Sequence, residues 1–216
     1  MSEEHGFVMR ATVSPEHLAA YFDAPAASPL AWDDWRSLDD FFWGLDWDAD
    51  EAVDRMMRSI ELWNGDKTYR QVLAEAIAKV SAGTVYVPGG TFDCSVPGQV
   101  TIARAMYGEN LTFTVAALTM FRGLESFLGP GESAWVVRSD VWWGDPEERP
   151  VEAVMVIEPG RSTFLSGDDP LYADLARQAQ EAFSWAEGAR HDDSTPDGDA
   201  SDFWPDDSQA ILDWRP

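Results

Sequence analysis

The sequence predicts a single-domain α+β fold, with helices packed on one face of a mostly antiparallel sheet. Three observations carry that expectation. Helical periodicity and β-rich runs are segregated along the chain rather than alternating, which argues against a parallel βαβ fold. Two neighbouring β runs, 133–143 and 151–157, are joined by a short polar link, the mark of an antiparallel pair. The apolar fraction of 45% over 216 residues is ample for one core.

Residues 7–13 (Phe-Val-Met-Arg-Ala-Thr-Val) read as a strand. Ser14-Pro15-Glu16 then reads as a helix entry, with Ser as cap, Pro at the first position and Glu favourable to the dipole. Leu18, Tyr21 and Phe22 give that helix an apolar face. Ala24 to Ala31 holds two prolines and reads as a loop. Ser37 is placed to cap a short helix carrying Leu38, Phe41, Phe42 and Leu45.

The clearest helix spans 49–63. Asp48 and Glu51 have capping-box spacing, and Val53, Met56, Met57, Ile60 and Trp63 share one face. Asn64-Gly65 ends it. A second helix opens at Asp66, carries Tyr69, Leu73, Ala76, Ile77 and Val80 inward, and closes at Gly83. The short link makes the two antiparallel neighbours.

Thr84 to Val87 is β-rich and meets a turn at Pro88-Gly89-Gly90, with a partner strand expected within 91–96. Val100 to Tyr107 fits either strand or helix. After a turn at 108–110, Leu111 to Val115 reads as extended, and Leu118, Phe121, Leu124 and Leu128 as helical. A last helix runs from Asp169-Pro170 to about Glu187, with Leu171, Leu175, Ala179, Ala182, Phe183 and Ala186 inward. Past Gly188 the composition shifts: residues 190–216 carry eight Asp and two Arg. The expected organisation is therefore one domain over 1–189 and an acidic, partly disordered tail over 190–216, whose apolar end (Phe203, Trp204, Ile211, Leu212, Trp214) docks on the body or on a partner.

Charge narrows the function. The chain holds 39 Asp+Glu against 15 Lys+Arg, a net of −24. Nucleic acid and anionic membrane are bound through basic residues that neutralise phosphate, so both are excluded as direct partners. A basic protein surface is attracted, and quickly, because opposite fields steer encounter. Cys94 is the only cysteine, which fits a reducing compartment. Residues 1–10 lack a signal-like apolar run and no stretch reaches 18 apolar residues, so the expected location is cytoplasmic.

No catalytic or cofactor motif emerges, and no cofactor or metal is expected. His5, His17 and His191 are scattered, without zinc-ligand spacing. Cys94 reads as a small buried strand residue. No Gly-x-Ser-x-Gly elbow is present, and Gly89-Gly90 lacks the Gly-Lys-Ser/Thr of a phosphate loop. Residues 193–204 imitate a calcium loop with Gly198 at its sixth place, but Trp204 stands where a bidentate Glu belongs.

The densest feature is 32–54. Nine acids there (Asp33, Asp34, Asp39, Asp40, Asp46, Asp48, Asp50, Glu51, Asp54) meet Arg36 alone, interleaved with Trp32, Trp35, Phe41, Phe42, Trp43 and Trp47. Rings among acids suit a surface that docks a basic partner, the rings as anchors and the acids for steering. The expected partner-binding residues are Asp33, Asp34, Trp35, Asp39, Asp40, Trp43, Asp46 and Trp47, with Trp142 and Trp143 as a second patch beside an acidic loop. The competing expectation is that the rings point inward and the acids simply face water.

In size, acidity and tryptophan content, 11 Trp in all, the chain resembles the immunity proteins of bacterial polymorphic toxins. That resemblance implies a cognate toxin, often a nuclease or other secreted effector, inhibited by occlusion of its active site. The alternatives are a DNA mimic that sequesters a nucleic-acid-binding protein, and an enzyme of unrecognised family using a perturbed carboxylate or Cys94.

Overall fold

A computed structural model of the chain describes residues 5–38, 51–82, 85–87, 89–108, 111–140, 151–188 and 206–216. Its centre is a six-stranded sheet built from β1 (His5–Thr12), β4 (Thr91–Asp93), β5 (Gln99–Gly108), β6 (Ser133–Asp140), β7 (Val151–Glu158) and β8 (Arg161–Phe164). The order is β4-β5-β1-β6-β7-β8, and every neighbouring pair is antiparallel. The first strand is thus interior to the sheet. Both of its faces are covered, Phe7, Met9 and Ala11 on one side and Val8 on the other, so the segment reads as a continuous apolar run rather than an alternating one. A separate hairpin pairs β2 (Val80–Ala82) with β3 (Val85–Val87).

The main core lies between one face of the sheet and α1 (Pro15–Asp23), α2 (Glu51–Asn64), α3 (Tyr69–Ile77), α4 (Leu111–Arg122) and the terminal α6 (Ser208–Asp213). The expected class, helices against an antiparallel sheet in a single α+β domain, is the one the chain adopts. The opposite face is also covered: α5 (Pro170–Gly188) lies across it, packing Leu175, Ala179 and Phe183 against Val8, Val137 and Val154. Leu171, expected inward, is 43% exposed at the start of that helix.

Local chemistry explains most boundaries and corrects several. Ser14 caps α1 as expected, its hydroxyl accepting the His17 N–H. The second helix of the pair does not open at Asp66. Thr68 caps α3 in a full capping box with Gln71, two orphan donors satisfied reciprocally. It also ends early, at Ile77, and Val80 belongs to β2 rather than to the helix face. Residues 111–115, expected extended, are already helical: every residue from Thr114 to Arg122 is buried, so tertiary packing overrides the weak helix preference of Thr112, Thr114 and Val115. Residues 100–107, open between strand and helix, are strand. Cys94 is exposed rather than buried, because β4 stops at Asp93 and the Asp93 carboxylate accepts the Ser95 N–H, turning the chain outward.

The end of the chain docks on the body. Ile211 is fully buried, and Trp214 meets Phe22 edge-on at 5.4 Å. Arg70 donates from Nη1 to the carbonyls of Ile211 (2.8 Å) and Trp214 (2.9 Å), which otherwise would be orphan acceptors at a helix C-terminus. Asp207 accepts the Phe92 N–H on the outer edge of β4 and donates its own N–H to Gly90. The boundary expected at 189/190, and the segment between there and residue 206, lie outside the described residues.

Candidate functional site

Three of the ten residues expected to bind a partner fall in the described structure, and they do different things. Asp33 is exposed. Trp35 is a core ring, 4% exposed, with its indole N–H donating to the Pro29 carbonyl at 2.8 Å. Asp34 faces inward to Arg122, Oδ1 to Nη1 at 2.7 Å, with 38% of its side chain exposed. Asp39, Asp40, Trp43, Asp46, Trp47, Trp142 and Trp143 lie outside the described residues.

Arg122, 2% exposed, organises this region. Its guanidinium sits 4.9, 4.8 and 5.2 Å from the ring centres of Trp32, Trp35 and Phe164. Its Nε donates to Ser162 Oγ. The Trp32 indole donates to Glu125. A desolvated cation held among rings is stabilising by about 2 kcal/mol, so the acidic stretch is moored to the body through an arginine rather than through apolar contact alone.

A second constellation lies at one end of the sheet, built by two irregularities of register. Between His5 and Phe7 the partner on β5 moves from Gly108 to Arg104, and between Arg138 and Ser139 the partner on β7 moves from Ala153 to Val151. Bulges re-aim side chains. Here they bring Tyr107 and Glu152 to the side of the sheet that already carries His5 and Arg138. Gly6, opposite the first bulge, has no room for a side chain: a Cβ would stand 2.6 Å from the Arg104 carbonyl. Glu152 takes His5 Nδ1 at 2.8 Å and Arg138 Nε at 2.9 Å. Arg138, wholly buried, also donates to Thr114 Oγ1 on α4 and to the Gly108 carbonyl.

Charge settles inside this cluster in the ion-pair sense. Burial alone would push the Glu152 carboxyl up, but the His5 hydrogen bond and Arg138 hold it below its ordinary value. Burial pushes the Tyr107 hydroxyl up to about 12, against the pull of Arg138 and Arg104. Beyond these pairs, the buried Arg138 Nη1 and Ser139 Oγ lack an aligned hydrogen-bond partner among the described residues.

Tyr107 is shared between this cluster and a cleft of about 410 Å³. The cleft lies between α2, α3 and α4, with β5 as floor. Trp63 and Phe113 supply rings, Ile60, Ala76 and Ala116 aliphatic wall, Ser59, Thr112 and Glu75 polar groups, and Arg104 and Tyr107 line it from β5; the Glu75 carboxylate is paired with Lys67 at 2.5 Å. Arg104 donates to the Ala76 carbonyl and lies 5.8 Å from the Tyr107 ring centre. Among the described residues no group of three or more His, Cys, Asp or Glu side chains is placed to hold a metal ion.

This end of the sheet has little signature in the sequence: His5 lies near its start, and Arg104, Tyr107, Arg138 and Glu152 belong to no motif. One signal was available: Arg138 and Glu152 each interrupt a strongly apolar strand, Ala-Trp-Val-Val-Arg and Val-Glu-Ala-Val-Met, and a charge inside a two-sided buried strand needs a partner. The register shifts that join them leave no sequence mark. Comparison with protein-family models, with curated proteins and with solved structures finds no match.

Proposed function

We propose that the chain is an acidic binding protein that occludes a basic surface of a partner protein, as its resemblance to toxin immunity proteins implies. One observation carries the reading. Among the described residues the interior holds four arginines, Arg70, Arg104, Arg122 and Arg138, but a single carboxylate, Glu152. Several remaining cations are matched on the surface by acids, Arg55 with Glu51, Lys67 with Glu75, Arg161 with Glu158, and Arg177 with Asp174 and Glu181. Withdrawing cations inward leaves the outer surface more uniformly anionic than composition alone requires. Such a field accelerates encounter with a basic patch and repels acidic competitors. No helix of the described residues is long and apolar enough to cross a membrane.

The test uses the full-length chain as bait at low salt, then stopped-flow association with the recovered partner. The partner is expected to be basic, its activity blocked in the complex, and its association at least about tenfold slower at physiological salt, where screening shortens the field to about 8 Å. Joint reversal of Asp33, Asp39 and Asp40 to Lys, sparing Asp34 because it serves Arg122, should weaken the complex by at least about tenfold. An association rate indifferent to both salt and reversal would overturn the proposal.

A further inference from the structure

We propose that the face carrying Leu62, Trp63 and Phe113 pairs with the same face of a second copy of this chain, Leu62 of each copy entering the other's cleft between α2, α3 and α4. The inference is independent of the reading above, which concerns a basic partner.

Exposed apolar surface is the first ground. Among the described residues six large apolar side chains are exposed, and three of them gather at this cleft. Trp63 and Phe113 line it and are 38% and 42% exposed. Leu62 is 80% exposed and is not part of the lining. It follows Ser59, which lines the cleft, by three residues, so it stands on the adjoining lip of α2. A single exposed Leu is ordinary. Three large apolar side chains around one concavity mark a contact surface.

Shape is the second ground. On one face Leu62 projects and a cleft of about 410 Å³ recedes. Ile60, Ala76 and Ala116 give the cleft carbon walls. Its charged groups are already engaged, Arg104 with the Ala76 carbonyl and Glu75 with Lys67. An apolar side chain is therefore the occupant it suits. A projection beside a hole on the same surface is self-complementary, as a two-fold pair requires: what one copy inserts, the other receives.

Charge is the third ground, and it selects a second copy over a basic partner. The whole chain carries 39 acids against 15 bases. This rim departs from that balance. Arg55 lies four residues before Ser59 and Arg58 four before Leu62, which puts both on the cleft side of α2. Lys67 lies 5.2 Å from the Trp63 ring centre. Glu51 and Glu75 stand with them as the partners of Arg55 and Lys67. Asp54 and Glu61, seven residues apart, fall on the other side of the buried Val53–Met57–Ile60 stripe. A basic partner finds no attractive field here. Two copies of an acidic molecule repel wherever acids dominate, so this rim is where they approach at least cost. A rim of mixed sign also offers acids to bases when it meets itself.

The test is sedimentation equilibrium of the full-length protein from micromolar to millimolar concentration. A reversible monomer–dimer equilibrium is expected, at least about tenfold tighter at 0.15 M than at 0.01 M salt, because the Debye length falls from about 30 to 8 Å and self-repulsion is screened. That sign is opposite to the one expected for a basic partner, so the two readings fail separately. Leu62→Asp should weaken the dimer by at least about tenfold and leave the melting temperature unchanged, since Leu62 is exposed. Ser59→Asp, also exposed, places a charge at the cleft itself and should do the same should the first variant fold poorly. Leu171→Asp is the control: an exposed Leu on α5, across the sheet, whose loss should leave the dimer intact. A monomer at every concentration in physiological salt, a dimer that survives both Leu62→Asp and Ser59→Asp, a dimer that Leu171→Asp also breaks, or one that loosens as salt rises would each overturn the proposal.

Discussion

Asp33 and Asp34 are sequence neighbours with the same side chain and opposite structural roles, which makes them a controlled experiment. Asp34 lies 2.7 Å from a guanidinium that is 2% exposed, and Asp33 faces water. Removing one partner of a fully buried pair costs about 3–5 kcal/mol. Asp34 keeps 38% of its side chain exposed, so water relieves part of that loss. The three rings around Arg122 and its bond to Ser162 survive the change. Asp34→Asn is therefore expected to cost about 2 kcal/mol, below the range for a fully buried pair. For a chain of this length that is a fall of about 4–8 °C in melting temperature. Asp33→Asn removes the same charge from the same acidic molecule, so any relief of self-repulsion is common to both, and its own effect should stay within about 0.5 kcal/mol. Thermal melts of the two variants in one buffer decide the matter. Equal melting temperatures would refute the argument that the acidic segment is moored through Arg122.

Ile211→Ala should destabilise by about 2–4 kcal/mol, since a fully buried Ile is removed, and deletion of residues 206–216 should cost more because Arg70 loses two carbonyl acceptors; a chain that melts unchanged without them would show that the terminal helix is not part of the core. The Glu132 carboxyl gives a pH signature. Burial alone would raise it, but the N–H groups of Gly129 and Ser14 and the His17 ring hold it at about 2. A folded value below the unfolded one means stability that is fully present above about pH 5 and lost as pH falls toward 2. Solvent access around the site reduces the worth of this shift to about 1–2 kcal/mol. The gap in melting temperature between the parent and Glu132→Gln should therefore be several degrees at pH 7 and shrink steadily toward pH 3; a gap that widens on acidification would contradict the sign.

Elements with a strong local signature could be read from the sequence. The α2 helix, with Val53, Met57 and Ile60 at helical spacing, is where periodicity placed it, and the Ser14-Pro15 entry of α1 follows from capping chemistry alone. The β6–β7 pair was legible because a turn signal separated two β runs. What was not legible depends on partners far along the chain. Thr114 and Val115 are helical because the sheet buries them, and nothing within five residues says so. The site is the extreme case: His5, Tyr107, Arg138 and Glu152 come from four strands, and two shifts of register decide that they share a face. The acidic, ring-rich stretch was conspicuous in sequence, yet Trp35 turns inward and Asp34 faces a buried arginine that sequence could not pair with it.

The place of β1 in the sheet also governs how the molecule comes together in time. The strand begins at His5, yet it pairs with Gly108 on one side and Asp140 on the other. During synthesis it must wait, apolar on both faces, until β5 and then β6 have emerged. Closing contacts over such long separations slows folding, and an unpaired apolar strand is exposed to association with other chains meanwhile. The edge of β4 is covered only when residues 206–213 dock, Asp207 accepting the Phe92 N–H. A chain clipped before Asp207 would leave the β4 edge uncovered, so docking of that segment and resistance to self-association at this edge are one property.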